Sequence, residues 1–491
     1  MSALVDLHAT AVTSRCHNPF FRREQLKSLH DTIRKEKESI RTAIRQDTSC
    51  TDAEASVEIA TALRIVVEHH TSIQPKNDIN EEYKTAHGQD ARDRTEPWGV
   101  VFVEPNLGHT PFLSVIDPLS AAITAGNCVA LKLENTPRAI PSMLRTLLTK
   151  AMQADTFQII STTPTQDALS NAFSVLQKTR IQQPSNTQLV SSSGRVVAVV
   201  DRTADLSSAA EALVAARFSF GGTSPYAPDL VFVNEFVKTA FVEKVVGHAL
   251  RYLASTTSAV VNGTPEPSQT NHFRNKITST SLTSLESNKD WDTRIITQGY
   301  AGAIIELTNK HTTHVPLPPR SNAPVLAISA ISSLDHAIDL VANDPGDRLS
   351  AAYHFAAAAH ANYLSLFIHA QATFINHIPA GLLLGPAAPL FHVINVEKRY
   401  VKEHFVRAAP VIVNSGATKG LVHLSSRDAM QLLDDANKEI KEARRAEWIA
   451  IGFFEQGILL GLGMYGLPLL SFLGASIFFG VRAGLRRWAV I

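Results

Sequence analysis

The chain has 491 residues, 45% hydrophobic and 19% charged, enough to bury more than one core and to organise as two or three domains. Lysine and arginine (46) balance aspartate and glutamate (45), so no basic surplus points to nucleic acid. The three cysteines, Cys16, Cys50 and Cys128, are too few and too scattered for a disulfide framework or a zinc site, and a reducing compartment follows.

Residues 1–23 mix charges throughout and carry no apolar signal segment. Residues 20–75 read as amphipathic helices, with Leu26, Leu29, Ile33, Ile40 and Ile44 at helical spacing and a second periodic segment over 53–69. Residues 76–97 are polar, and Trp98-Gly-Val-Val-Phe-Val-Glu104 is then a short apolar run that predicts a buried strand. A helix over 118–126 and a strand over 127–132 complete a βαβ unit. Strand and helix alternate again at 196–201 with 204–216, and at 230–233 with 238–253, which predicts an α/β architecture with a mostly parallel sheet.

Residues 255–292 are rich in serine, threonine and asparagine and read as surface loops. Residues 334–343 and 359–370 read as helices, and 425–448 as a charged, solvated helical connector. No His-Glu-x-x-His occurs; His311 and His314 have helical spacing but no carboxylate partner, so no metal site is expected.

The far end differs in kind. From Gly457 to Val481 there is no charge, and a bilayer span needs roughly 20 such residues. Arg482, Arg486, Arg487 and Trp488 follow, with Trp448 on the other side, as at the two edges of a membrane. Pro468 and its neighbouring glycines leave two geometries open, a kinked single span and a shallow hairpin. Gly461-Leu-Gly463-Met-Tyr-Gly466 matches a dinucleotide-binding pattern, but no strand precedes it and no acidic residue follows at the right distance, so it is a false positive.

Several segments, in order, resemble the aldehyde dehydrogenase superfamily, most closely its class 3 or fatty aldehyde branch. They are Pro97-Trp98-Gly99-Val100-Val101, Ala125-Gly126-Asn127-Cys128-Val129-Ala130-Leu131-Lys132, Val200-Asp201 with Ala204-Asp205-Leu206, Ala227-Pro228-Asp229, Ala323-Pro324-Val325-Leu326, and Leu334-Asp335-His336-Ala337-Ile338. The resemblance covers about residues 20–415 and implies a Rossmann-type cofactor domain plus an α/β catalytic domain. The corresponding divisions are 1–190 (N-terminal helices and dinucleotide-binding-type domain), 191–415 (catalytic-type domain), 416–448 (connector) and 449–491 (membrane anchor).

By resemblance, the activity is NAD- or NADP-dependent oxidation of a hydrophobic aldehyde by a homodimer, membrane-bound through 457–481 with its globular part in the cytosol. The family's arm elements would fall at 80–97 and 408–414. In that chemistry a cysteine thiolate attacks the aldehyde, an asparagine and the cysteine's N–H hold the oxyanion, and a glutamate activates water.

Carried over position by position, the cysteine falls on Pro225, which has neither a thiol nor an N–H. Ser224 and Thr223 lie beside it, but a hydroxyl needs a base and none is evident nearby in sequence. The asparagine falls on His109, either an oxyanion donor or a loop histidine, and the glutamate near Ser191 in Ser-Ser-Ser-Gly194. Lys132 matches the lysine placed against the adenine ribose, with Glu134 close by. The glutamate that grips the nicotinamide ribose reads Arg320, and the glycine-bearing turn at the pyrophosphate should lie within 155–188, which has no glycine. Cys128 reads as a core residue. These readings give three candidates: an inactive aldehyde dehydrogenase-like binding or assembly module, a pocket repurposed for other chemistry, and an oxidoreductase with a non-standard nucleophile. Deleting 449–491 is expected to release the protein from membranes in a flotation assay; a truncated chain that still floats would remove the anchor.

Overall fold

The computed structural model describes residues 3–48, 50–181, 183–191, 194–253, 269–299, 301–310, 315–342, 349–413, 425–440 and 452–488. His311, His314 and Trp448 lie outside the described residues. The chain divides into two compact units, Met1–Ser415 and Gly416–Ile491.

In the first unit, strand β1 (Thr95–Pro97) belongs to a small sheet. Strands β2 (Val100–Glu104), β3 (Cys128–Lys132), β4 (Phe157–Ile160), β5 (Phe173–Leu176) and β6 (Gln188–Val190) form a parallel sheet in the order β4-β3-β2-β5-β6. Strands β7 (Val196–Val200), β8 (Leu230–Asn234), β9 (Trp291–Gly299), β10 (Gly302–Asn309), β11 (Val325–Ile331), β12 (Leu349–Phe355) and β13 (Ala370–Ile375) form a second sheet. Its order is β13-β12-β7-β8-β11-β10-β9, parallel except for the β9–β10 hairpin. Strand β14 (Val406–Ala408) pairs antiparallel with β1.

Parallel sheets are covered on both faces, so their strands are apolar throughout. Along β7 the two faces separate with period two. Val196, Ala198 and Val200 pack towards the helices Leu206–Phe218 and Lys238–Leu253, while Val197 and Val199 join the core beneath Leu334–Ala342. In β2, Val101 and Val103 face one core and Val100 and Phe102 the other. In the first sheet the strand order reverses between β3-β2 and β5, and a crevice opens outside the carboxyl ends of the strands at such a switch point.

Two expectations are corrected. The helix expected over 118–126 is Pro111–Ala125, and Pro118 sits inside it. Proline lacks the N–H that would bond the carbonyl of Ser114 four residues back. Gln177, just beyond β5, donates its Nε2 to that carbonyl at 2.9 Å, so the helix continues unbroken. All fifteen residues of this helix are buried. The second correction concerns residues 255–292. They contain the helix Gln269–Glu286 and the start of β9, because Leu282 and Leu285 bury against Trp291 and offset the polar composition. The scattered cysteines also meet in part: Cys16 and Cys128 are buried with sulfurs 3.5 Å apart, and Cys128 is a core residue of β3.

In the second unit, the amphipathic helix Ser426–Ala436 is capped by Ser425 Oγ, which accepts the Asp428 N–H at 3.2 Å. Among the described residues, one helix is long and apolar enough to cross a membrane, Glu455–Trp488, with a π-turn at Leu462–Gly466 just before Pro468. Of the two geometries open in the sequence, it takes that of a continuous helix rather than two short arms. Its 34 residues span about 51 Å at 1.5 Å per residue.

Gln177→Leu is expected to lower unfolding stability by about 1–3 kcal/mol, since Ser114 O is left buried and unpaired beside Pro118. Chemical denaturation measures this, and an unchanged midpoint would show that water substitutes for the amide.

Candidate active site

The cleft forms where the carboxyl ends of β2, β5 and β6 meet the loop after Leu206–Phe218. A volume of about 270 Å³ is lined by, among others, Asn106, His109, Gln177, Ser191, Thr223 and Pro225. The loop is shaped by glycine. Gly222 has φ +71°, and a Cβ there would lie 2.4 Å from the Ala323 carbonyl, so no other residue fits. Phe220 also takes a positive φ of 50°. The chain therefore turns sharply, leaving Ser224, Pro225 and Tyr226 buried while Thr223 is partly exposed.

Pro225 stands where the resemblance puts the nucleophile, and it offers the cleft an apolar ring. Its carbonyl accepts Arg320 Nη2 at 2.9 Å, and Arg320 Nη1 donates to Gly194 O at 2.8 Å. One guanidinium thus ties the Pro225 loop to the Ser-Ser-Ser-Gly segment. Arg320 Nε lies 3.2 Å from Asp229 Oδ1, and the fully buried Arg217 lies 3.6 Å from the same oxygen. Asp229 Oδ2 accepts the Val196 N–H at 3.0 Å, joining β8 to β7. Burial pushes the Arg217 pKa down to about 10, which leaves it charged at neutral pH.

Ser224, an expected candidate, is 2% exposed, and its hydroxyl accepts the Tyr226 N–H at 3.3 Å. It is not among the lining residues of the cleft. Ser191 is at the cleft wall, with Oγ 2.8 Å from the hydroxyl of the buried Tyr400. Burial holds the Tyr400 phenol well above its usual range, so it remains a neutral hydrogen-bond partner.

His109 precedes the helix Pro111–Ala125, whose first N–H groups, from Phe112 and Leu113, donate to the buried Glu58 carboxyl at 2.8 and 3.1 Å. Burial raises Glu58 to about 7. Thr110, at φ 39°, swings His109 towards the cleft and accepts the Gly385 N–H at 3.1 Å. The imidazole Nε2 is 2.9 Å from Leu383 O and Nδ1 is 2.9 Å from Thr223 Oγ1. Burial, with Arg399 and Arg320 nearby, lowers its pKa to about 4, so the ring is neutral at physiological pH. A neutral ring that donates Nε2–H to a carbonyl presents Nδ1 as an acceptor.

A second recess, about 180 Å³, lies by the ends of β2 and β3 and holds both cofactor candidates, Lys132 and Glu134. Lys132 Nζ bonds Glu104 Oε1 at 2.8 Å, and Glu134 bonds Lys178 at 2.9 Å. Thr179 donates N–H and Oγ1–H to the other Glu104 oxygen. Burial raises the Glu104 pKa, but Lys132 and Thr179 override it and hold the carboxyl below its usual range. After β4 the chain forms only the one-turn helix Gln166–Leu169. No group of three or more histidine, cysteine or acidic side chains suited to a metal occurs among the described residues.

Sequence reasoning missed two residues here, and the partner of a third. Glu104 and Gln177 were unremarkable polar residues at strand ends; a charged residue closing an apolar strand was the available signal for Glu104. Thr223 was seen without a base, because its partner is 114 positions away.

A parallel five-stranded sheet with a switch-point recess and a second, mostly parallel seven-stranded sheet define an α/β protein with a Rossmann-like sheet. Residues 15–264 match the aldehyde dehydrogenase family, and the chain belongs to it. It is 26% identical over 236 residues to 4,4'-diaponeurosporen-aldehyde dehydrogenase of Staphylococcus aureus, covering 44% of this chain and 51% of that protein. It is 26% identical over 164 residues to the mouse dimeric NADP-preferring aldehyde dehydrogenase, covering 31% and 36%. The chain thus spans about half the length, or less, of these curated relatives.

The fold is similar to substrate-bound Staphylococcus aureus AldH, with a TM-score of 0.64, 18% identity, and 88% of this chain and 98% of that one covered. It is also similar to NADP-dependent glyceraldehyde-3-phosphate dehydrogenase of Bacillus halodurans complexed with NADP, with a TM-score of 0.62, 16% identity and 84% and 90% covered.

Asp229→Asn is expected to cost about 3–5 kcal/mol, because it removes the only carboxylate described between two guanidiniums, one of them fully buried. Urea unfolding measures it; a loss under about 1 kcal/mol would show that Arg217 rests on its carbonyl partners alone.

Proposed function

We propose that this chain keeps the aldehyde dehydrogenase fold but does not perform thiolate-dependent, NAD(P)-linked aldehyde oxidation, and that its cleft serves a hydrophobic aldehyde-derived or related ligand at a membrane. The observation that carries this reading is Arg320. Its guanidinium bonds the carbonyls of Pro225 and Gly194, tying together the two segments where the resemblance puts nucleophile and base.

The other positions support the same reading. Pro225 supplies neither thiolate nor N–H, Ser191 is tied to Tyr400, and His109 replaces a side-chain amide with a neutral ring. A dinucleotide fits the residues poorly. Both recess lysines, Lys132 and Lys178, are paired with carboxylates, and no glycine turn opens a helix of useful length after β4. The uncharged stretch 457–481 within the helix Glu455–Trp488 supports membrane association, and in this reading the globular unit faces the cytosol. The short β1–β14 sheet, extended by the Ala91–Ile412 bridge, supports a homodimer by resemblance.

Titration of full-length, detergent-solubilised protein with NAD and NADP by calorimetry is expected to give no binding up to about millimolar, the weak end of the affinity scale. Aldehydes from short to long chain are expected to yield no NAD(P)H. Micromolar binding together with NAD(P)H formation would restore the oxidoreductase reading, with a non-standard nucleophile.

A further inference from the structure

We propose that Cys16 and Cys128 are a dithiol modification site that hydrogen peroxide oxidises to an intramolecular disulfide, latching the N-terminal segment onto β3. This goes beyond the reading of the cleft and depends neither on it nor on the membrane helix.

The two residues are 112 positions apart, yet their sulfurs lie 3.5 Å from each other and both are buried. The fold holds them together from several sides. Leu4 and Leu7 of the helix Ala3–Val12 share a core with Val100 and Phe102 of β2 and with Cys128 and Ala130 of β3. That helix leads through Ser14, at φ 56°, into the turn Arg15–His17 that carries Cys16. Arg15 pairs with Asp155, just ahead of β4. Gly126, at φ +96°, packs so closely that a Cβ there would lie 3.1 Å from the Cys16 carbonyl oxygen. Cys128 follows two residues later, its N–H donating to Gly99 O at 2.9 Å. Bonding the sulfurs then needs an approach of only about 1.5 Å. Cys50 is buried in the core on the other face of this sheet.

A thiol reacts with peroxide as its thiolate, and only where the oxidant can reach it. Cys16 meets both conditions. The Cys128 thiol donates to it, and with Arg15 and Arg22 nearby this holds Cys16 below its usual range despite burial. The bond to Cys16, with burial, pushes Cys128 up, so it stays the protonated partner. Cys16 also lines a cavity of about 10 Å³ with Phe21, Arg22, Gln25 and Thr156, room for a water-sized molecule. That size favours hydrogen peroxide over bulky organic hydroperoxides.

The steps balance. The Cys16 thiolate attacks one peroxide oxygen, the O–O bond breaks, and the departing hydroxide takes the proton that Cys16 gave up. Cys128 then attacks the sulfenic sulfur of Cys16, the S–O bond breaks, and hydroxide leaves with the Cys128 proton as a second water. Each sulfur is oxidised by one electron and the peroxide is reduced by two. A thiol reductant reverses the link by exchange. A bridge over 112 positions constrains the unfolded chain strongly, so the oxidised form should be the more stable one.

The test uses full-length protein in detergent, reduced, desalted and exposed to hydrogen peroxide. Remaining thiols are blocked with N-ethylmaleimide in denaturant, and unreduced peptides are mapped by mass spectrometry. A peptide pair joining Cys16 to Cys128, two hydrogens lighter than the free thiols, is expected, with Cys50 blocked. Oxidation should raise the thermal midpoint and slow proteolytic release of residues 3–17, and dithiothreitol should reverse both. Cys16→Ala is expected to lose the linked pair and both shifts, whereas Cys50→Ala should keep them. If Cys16→Ala does not fold, the wild-type linkage map decides alone. A sulfinic Cys16 without a link, a link to Cys50 or between chains, or an unchanged midpoint on oxidation would overturn the proposal. So would retention of all three thiols at a peroxide dose that oxidises free cysteine in the same buffer.

Discussion

The cleft depends on one buried carboxylate, that of Asp229. Removing ions from water is costly unless each finds a partner, and Asp229 supplies that partner to two guanidiniums at once. Arg217 enters from a helix end and Arg320 from the segment before β11. Their remaining donors go to backbone carbonyls at Val325, Ser321, Gly194 and Pro225. Charge neutralisation and carbonyl pairing are therefore the same structure. The loop at Pro225 is not free to rearrange without exposing that cluster, and this rigidity holds Thr223 at the cleft.

A second constraint comes from the wholly buried helix Pro111–Ala125. Every polar group there must be paired inside the protein. Glu58 caps its start, Gln177 answers the carbonyl that Pro118 cannot, and Asp117 accepts the Arg399 N–H at 2.8 Å. These bonds cross between the first sheet, the helix and the late loop at 381–399. His109 inherits its placement from them, as the residue just before a helix whose position is fixed at both ends. Arg399 in turn holds the carbonyls of Leu382 and Leu384, on either side of the Leu383 carbonyl that selects the tautomer of the ring.

The C-terminal unit follows a different physics. Its helix Glu455–Trp488 has its apolar side chains exposed, so its stability in water cannot come from packing within the unit. Backbone bonds satisfied within one segment are what a hydrocarbon environment requires. A π-turn at Leu462–Gly466 precedes Pro468, which brings into this helix the same missing donor that Gln177 offsets in the globular unit.

The fold was legible wherever a signal is local. Continuous apolar runs marked β2, β3, β7 and β8, because burial on both faces leaves its imprint on every residue, and an uncharged stretch marked the last helix. Helix 269–286 was not legible, since two leucines do not outweigh a polar composition until Trp291 is beside them. At the site, sequence alone determined what one position cannot supply: no rotation or packing gives Pro225 a thiol or an N–H. What the cleft can still do was decided by tertiary structure. His109 reaches Thr223, Arg320 reaches Pro225 and Gly194, and Glu104 reaches Lys132, through contacts 28 to 126 positions apart. Side-chain identity is a property of one position, whereas a base, a bridge or a counter-ion is a property of two, and the distance between them exists only after folding.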